Sequence, residues 1–110
     1  MARTDLLQGT LDLLILQALT GGELHGWAIS KRIQQRSRDA LAVGQGSLYP
    51  ALYRLEERGW IKGSWVEKAD ERRRRYYKVT AEGRRVLAEQ RRTWEAFVEA
   101  VRLVTGGEHA

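Results

Sequence analysis

The chain has no cysteine, one proline, one phenylalanine and two histidines among its 110 residues. The missing cysteine excludes disulfides, cysteine-ligated zinc, iron-sulfur clusters and thiolate nucleophiles, and it agrees with a reducing compartment. Long apolar runs are missing too, since the stretch Leu11 to Leu19 is broken by Asp12 and Gln17. That is neither a signal-peptide core nor the ~20-residue span a bilayer requires, so a soluble, cytoplasmic protein is expected. His25 and His109 do not form a pair at ligand spacing, and Gly44-Gln45-Gly46 lacks the rest of a phosphate-binding loop. No nucleophile has a base nearby in sequence, so no enzyme activity, metal or cofactor is expected.

What is present is positive charge. Nineteen Lys and Arg against fourteen Asp and Glu give +5, which admits nucleic acid, an anionic membrane surface or an acidic protein as partner. The length allows one domain.

Glycines and short polar clusters divide the chain into apolar-periodic blocks. Leu11, Leu14, Ile15, Ala18 and Leu19 fall at helical spacing, and this first helix stops at Gly21-Gly22. A second, short and basic helix is expected from about His25 to Arg36, with Trp27, Ile29 and Ile33 facing inward. Leu41-Ala42-Val43 reads as extended, and Gly44-Gln45-Gly46-Ser47 breaks the chain before a third helix that closes at Gly59, with Pro50 in its first turn. From Trp60 to Val79 β-formers flank the polar Lys68 to Arg72 stretch, which predicts a hairpin with a charged tip. Thr80 then offers an N-cap to a long final helix, about Ala81 to Thr105. The fold class is therefore mostly α with a small β-hairpin, a winged helix-turn-helix plus a long C-terminal dimerisation helix. Residues 1–80 form the winged-helix domain, 81–106 the helix continuous with it, and 107–110 a tail.

At ~100° per residue, Leu48, Ala51, Leu52 and Leu55 of the third helix share one arc. The opposite arc carries Ser47, Pro50, Tyr53, Arg54 and Glu57, with Tyr49 on its flank and Glu56 nearer the buried edge. Two phenols, a hydroxyl and an arginine are what a recognition helix presents to base edges and phosphates; the same tyrosines could instead cover core edges. Beside this helix the hairpin brings Lys68, Arg72, Arg73, Arg74, Arg75 and Lys78 against Glu67, Asp70 and Glu71. Such a run suits a wing lying along phosphates, although strand alternation must turn about half of the four arginines away from DNA.

In the last helix Leu87, Trp94 and Val101 repeat every seven residues, and Phe97, Val98 and Val104 widen the stripe. A helix of this length rises ~37 Å, more than so small a domain can cover, so an identical subunit is the simplest partner. Gln90, Arg91 and Arg92 interrupt the seam. Trp94 beside that break is either a dimer-core anchor or an aromatic plate for a flat ligand.

Leu24-His25-Gly26-Trp27-Ala28-Ile29, Gly46-Ser47-Leu48-Tyr49-Pro50-Ala51-Leu52-Tyr53-Arg54-Leu55-Glu56, Gly59-Trp60-Ile61 and Arg75-Tyr76-Tyr77-Lys78-Val79-Thr80 with Gly83 resemble the PadR-family transcriptional regulators. The likeness extends over most of residues 6–104; Trp27 departs from the tyrosine more usual there. The resemblance implies a dimeric regulator, usually a repressor of adjacent genes, that binds double-stranded DNA at a pseudo-palindromic operator and answers to small molecules. The family's DNA-contacting helix maps onto Ser47, Tyr49, Pro50, Tyr53 and Arg54, and its wing onto Lys68 to Arg75. In some members a tryptophan matching Trp94 stacks planar aromatic compounds at the dimer centre, which makes Trp94 and Val98 the expected effector contacts. The competing expectation is a winged-helix module that docks a protein through its basic wing, without sequence-specific DNA binding.

Overall fold

The computed structural model describes residues 2–68 and 72–106, with side chains from Thr10 onward. Helix α1 (Ala2–Ala18) ends in a 3-10 turn at Leu19–Gly21. Strand β1 (Leu24–His25) leads into α2 (Gly26–Arg36), then come α3 (Gln45–Glu57), the hairpin β2 (Ile61–Val66) and β3 (Arg74–Val79), and α4 (Ala81–Thr105). The sheet is antiparallel in the order β1-β3-β2. β3 lies in the middle, pairing Tyr77 with Leu24 on one side and with Gly63 on the other.

The core is where the apolar arcs of the helices meet. Ile15, Leu16 and Leu19 pack with Ile29 and Ile33 of α2, Leu48, Leu52 and Leu55 of α3, Ile61 of β2 and Leu87 of α4. Each such side chain contributes roughly 1.5–3 kcal/mol relative to exposure. Because four helices and the sheet share this one cluster, the outer face of α3 is held at a fixed angle to the hairpin. No described helix is long and apolar enough to cross a membrane.

The helix ends follow from local chemistry. α3 closes in a Schellman motif: Trp60 N–H donates to the Leu55 carbonyl at 3.1 Å and Gly59 N–H to that of Glu56 at 3.0 Å. Gly59 supplies the φ of +79° that this geometry needs. The hydroxyl of Thr80 caps α4, accepting from Gly83 N–H at 3.0 Å.

Four expectations are corrected. The short strand is Leu24–His25, not Leu41 to Val43. Two of the latter's backbone groups are taken by side chains of α2 and of its C-cap instead: Leu41 N–H donates to Ser37 Oγ at 3.0 Å, and Ser30 Oγ donates to the Val43 carbonyl at 2.9 Å. α3 begins at Gln45, because extended Gly44 caps it by accepting from Ser47 and Leu48 N–H. Pro50 consequently sits in the second turn, where its missing N–H removes the usual i→i−4 donor to the carbonyl of Gly46, an exposed residue. Finally, Trp27 is 60% exposed. It lies two residues before the buried Ile29, ~200° around the helix, so it cannot share the inward face.

α4 divides in two. Gly83 and Leu87 are buried against the domain, whereas Trp94, Phe97, Val101 and Val104 are exposed, Val104 to 86%. Leu87, expected on a seam between subunits, is occupied within its own chain's core. The reason is positional: it lies in the first two turns, where α4 still crosses α1 and β3.

Candidate nucleic-acid interface

Ser47, Tyr49, Pro50 and Tyr53 are all exposed on α3, Tyr53 to 68%. Glu57, one turn on, accepts a hydrogen bond from the Tyr53 phenol and raises its pKa from 10.0, so the phenol remains a donor. Arg54 departs from the expected arc. Its Nη2 donates to Asp12 Oδ1 of α1 at 2.6 Å, and both side chains are substantially covered, which ties the guanidinium to the scaffold.

The hairpin divides its arginines as pleating requires. Arg75 points to the same side as Tyr77 and Val79 and donates to Glu56 Oε2 at 2.6 Å, while Gly63 N–H reaches the same oxygen at 3.2 Å. Its guanidinium lies so close over Gly63 that a Cβ there would sit 2.8 Å from Nε. This triangle fastens the wing to the C-terminal end of α3. Arg75 beside it offsets part of what burial does to Tyr77, whose phenol is nonetheless pushed up from 10.0 by desolvation.

Lys68, Arg72, Arg73, Arg74 and Lys78 are exposed. Two of them stack on aromatic rings, Arg73 over Trp65 at 4.8 Å and Lys68 over Tyr76 at 4.9 Å. Such contacts contribute ~0.5–1 kcal/mol each at exposed sites and orient the cations. Asp70 and Glu71, expected near the tip, lie outside the described residues, as does the 107–110 tail.

Sequence reasoning missed two contributors. His25 caps α2 through Nδ1, which accepts from Ala28 N–H at 3.4 Å, and its Nε2 lies 2.8 Å from Arg74 Nη1. Trp27 stacks on His25 at 6.3 Å. Together with Trp65 of β2, these residues carry the face from the wing to the start of α2. The signal available for Trp27 was its angle from Ile29; His25 was legible as a helix-start residue, but its contact with Arg74 was not, because that partner lies 49 residues away.

On α4, Trp94 packs on Phe97 at 5.9 Å with Val98 half-buried beside them, and Gln90 Oε1 is buried without a hydrogen-bond partner among the described residues. None of them lines the surface shared by α3 and the hairpin.

A helix pair, a third helix with a polar outer face, and an antiparallel hairpin beside it define a winged helix-turn-helix protein. Residues 15–89 match the transcriptional regulator PadR-like family. A transcriptional regulator of Mycobacterium tuberculosis is 40% identical over 101 residues, covering 92% of this chain and 88% of that protein. The solved structure of a transcriptional regulator from Clostridium thermocellum aligns with a TM-score of 0.78 at 30% identity, covering 96% of this chain and 99% of the other. Bacillus subtilis PadR, solved in complex with operator DNA, aligns with a TM-score of 0.65 at 24% identity, over 72% of this chain and 45% of that one, a likeness of fold alone. The chain belongs to the PadR-like family of transcriptional regulators, which are not enzymes.

Proposed function

We propose that the chain acts as a homodimeric, sequence-specific DNA-binding repressor, with residues 1–80 as the DNA-binding unit and 81–106 as the dimerisation helix. One observation carries the reading: Tyr49 of α3 and Arg72, Arg73, Arg74 and Arg75 of the hairpin line a common surface. α3 enters the major groove with Ser47, Tyr49, Pro50 and Tyr53, while Lys68, Arg72, Arg73 and Arg74 meet phosphates of the adjoining groove. Arg54 and Arg75 serve mainly as braces, each held by a carboxylate of its own chain. The operator complex of Bacillus subtilis PadR supports this use of the fold.

The exposed stripe of Trp94, Phe97, Val101 and Val104, with Val98 beside it, supports a twofold partner on α4. The unpartnered Gln90 oxygen next to it fits a donor supplied across that seam. Two α3 helices so joined fit half-sites ~34 Å apart in a pseudo-palindrome. An aromatic effector stacking on Trp94 and Val98 would loosen the same seam, and release of DNA would follow. Cytoplasmic location accords with this role.

Binding of labelled duplex fragments from the chain's own genomic surroundings, in excess competitor DNA, tests the reading. Retention of one fragment, with a salt slope that shrinks by about two in the Arg73→Ala, Arg74→Ala double variant, is expected. Uniform binding to all fragments, or a slope the double variant leaves unchanged, would favour a module whose wing docks an acidic protein.

A further inference from the structure

Among the described residues of α3, the exposed ones include the acid Glu57 and no base. The helix does contain one arginine. At ~100° per residue Arg54 stands about 40° from exposed Pro50 and about 60° from buried Ala51, on the border between the two faces, so its long stem can turn either way. Asp12 of α1 decides the direction. Its Oδ1 accepts from Arg54 Nη2 at 2.6 Å, and neither side chain forms another ion pair among the described residues.

The two partners are unequally covered. The Arg54 side chain keeps 30% of its surface in water and that of Asp12 only 13%. Leu11, Ile15 and Leu16 fix this stretch of α1 in the core, so the carboxylate cannot follow the guanidinium outward. An arginine that swung to a phosphate would gain a partner in water and leave behind a largely covered carboxylate without counter-charge. The gain is small because solvent and salt screen it, and the loss is large because the interior screens little. The cation of the reading helix is therefore held back at the border of the face that DNA would approach.

We propose that Asp12 is a positioning residue for DNA binding: it withholds Arg54 from the phosphate backbone, so that α3 meets DNA without a cation and sequence-independent attraction is left to the wing. Phosphate contacts carry no sequence information, and a guanidinium freed on the reading face would add to affinity on every sequence alike. The proposal rests on the DNA-binding reading above, and it assigns a part to α1, which that reading leaves outside the interface.

The test uses the full chain and a labelled duplex of arbitrary sequence, with affinity read by fluorescence anisotropy between about 50 and 200 mM salt. Asp12→Asn, which is nearly isosteric, should steepen the fall of log affinity with log salt by about one and tighten binding roughly 8-fold at about 0.1 M salt. Arg54→Gln should remove that added slope in the Asp12→Asn background, yet barely alter the slope while Asp12 is present. This dependence of one substitution on the other is a readout that a loss of packing would not produce. Glu82→Gln, which removes an exposed acid from the start of α4, controls for net charge and should leave the slope as it is. The proposal is overturned if Asp12→Asn keeps the parent's slope, or if Glu82→Gln steepens it as much. It is equally overturned if Arg54→Gln flattens the slope with Asp12 in place, because Arg54 then already meets phosphate; that arm decides the matter even if Asp12→Asn does not fold. A parent that binds no duplex overturns this proposal together with the DNA-binding reading, whereas salt-dependent binding that none of the variants alters overturns this one alone.

Discussion

Gly83 is the residue on which the junction between winged domain and α4 turns, and replacing it by alanine sets two effects against each other. Inside an ordinary helix the change would stabilise by ~1 kcal/mol through helix propensity. Here the helix passes directly over the β2 entry: an added Cβ would collide with the Trp60 carbonyl oxygen and lie 2.8 Å from Val79 Cγ2. The carbonyl cannot swing aside freely, because it accepts the N–H of Thr80, the capping residue of α4, at 3.0 Å. Overpacking of this kind costs roughly 1–3 kcal/mol and the strained hydrogen bond about 1 kcal/mol more, so the collision wins over propensity. A net loss of about 2 kcal/mol lowers Tm by roughly 8–16 °C in a domain of this size. Circular dichroism melts at one fixed protein concentration measure it, since association would otherwise raise the apparent stability. A Gly83→Ala protein that melts at or above the parent temperature would refute the packing argument.

Other expectations follow from single contacts. Asp12→Asn should lower the urea midpoint by the equivalent of about 1 kcal/mol, the value of a partly exposed charge-assisted bond; an unchanged midpoint would mean that Asp12 does not hold Arg54 in solution. Tyr77 has a folded pKa above its ordinary 10.0, so its contribution is complete below pH 10 and is lost as pH rises through the folded value. The fall in unfolding free energy between pH 8 and pH 11 should therefore be smaller in Tyr77→Phe than in the parent, and equal falls would contradict the burial argument. Val101→Asp places a carboxylate on the exposed α4 stripe and should convert a dimer to monomer in analytical ultracentrifugation, with the monomer's helical content retained.

The elements that sequence resolves well here are those set by local chemistry. Thr80 and the run after it gave α4 its bounds, β-formers on either side of a charged stretch gave the hairpin, and the 3.6-residue period of Leu48, Leu52 and Leu55 separated the two faces of α3. What escaped depends on partners distant along the chain. The two residues of β1 form a strand only because β3 presents an open edge to them, and no period can emerge from so short a segment. Arg54 lay on the polar arc by its angle, yet an acid 42 residues earlier draws it back. For Arg75 the alternation rule gave the direction, and only the fold supplied Glu56 as its partner. The surface shared by Trp27, Tyr49 and the wing arginines belongs to the same class, since three separate elements must meet to form it.

In the proposed function α3 and the wing read a specific DNA sequence as a twofold pair. Selection of bound duplexes from a random pool, followed by titration of the winner and its scrambled counterpart at physiological salt, tests it most directly. An inverted repeat with half-site centres about 10 base pairs apart is expected, bound at least ~10³-fold more tightly than the scrambled duplex. A pool that yields no common sequence, or equal affinity for both duplexes, would contradict it.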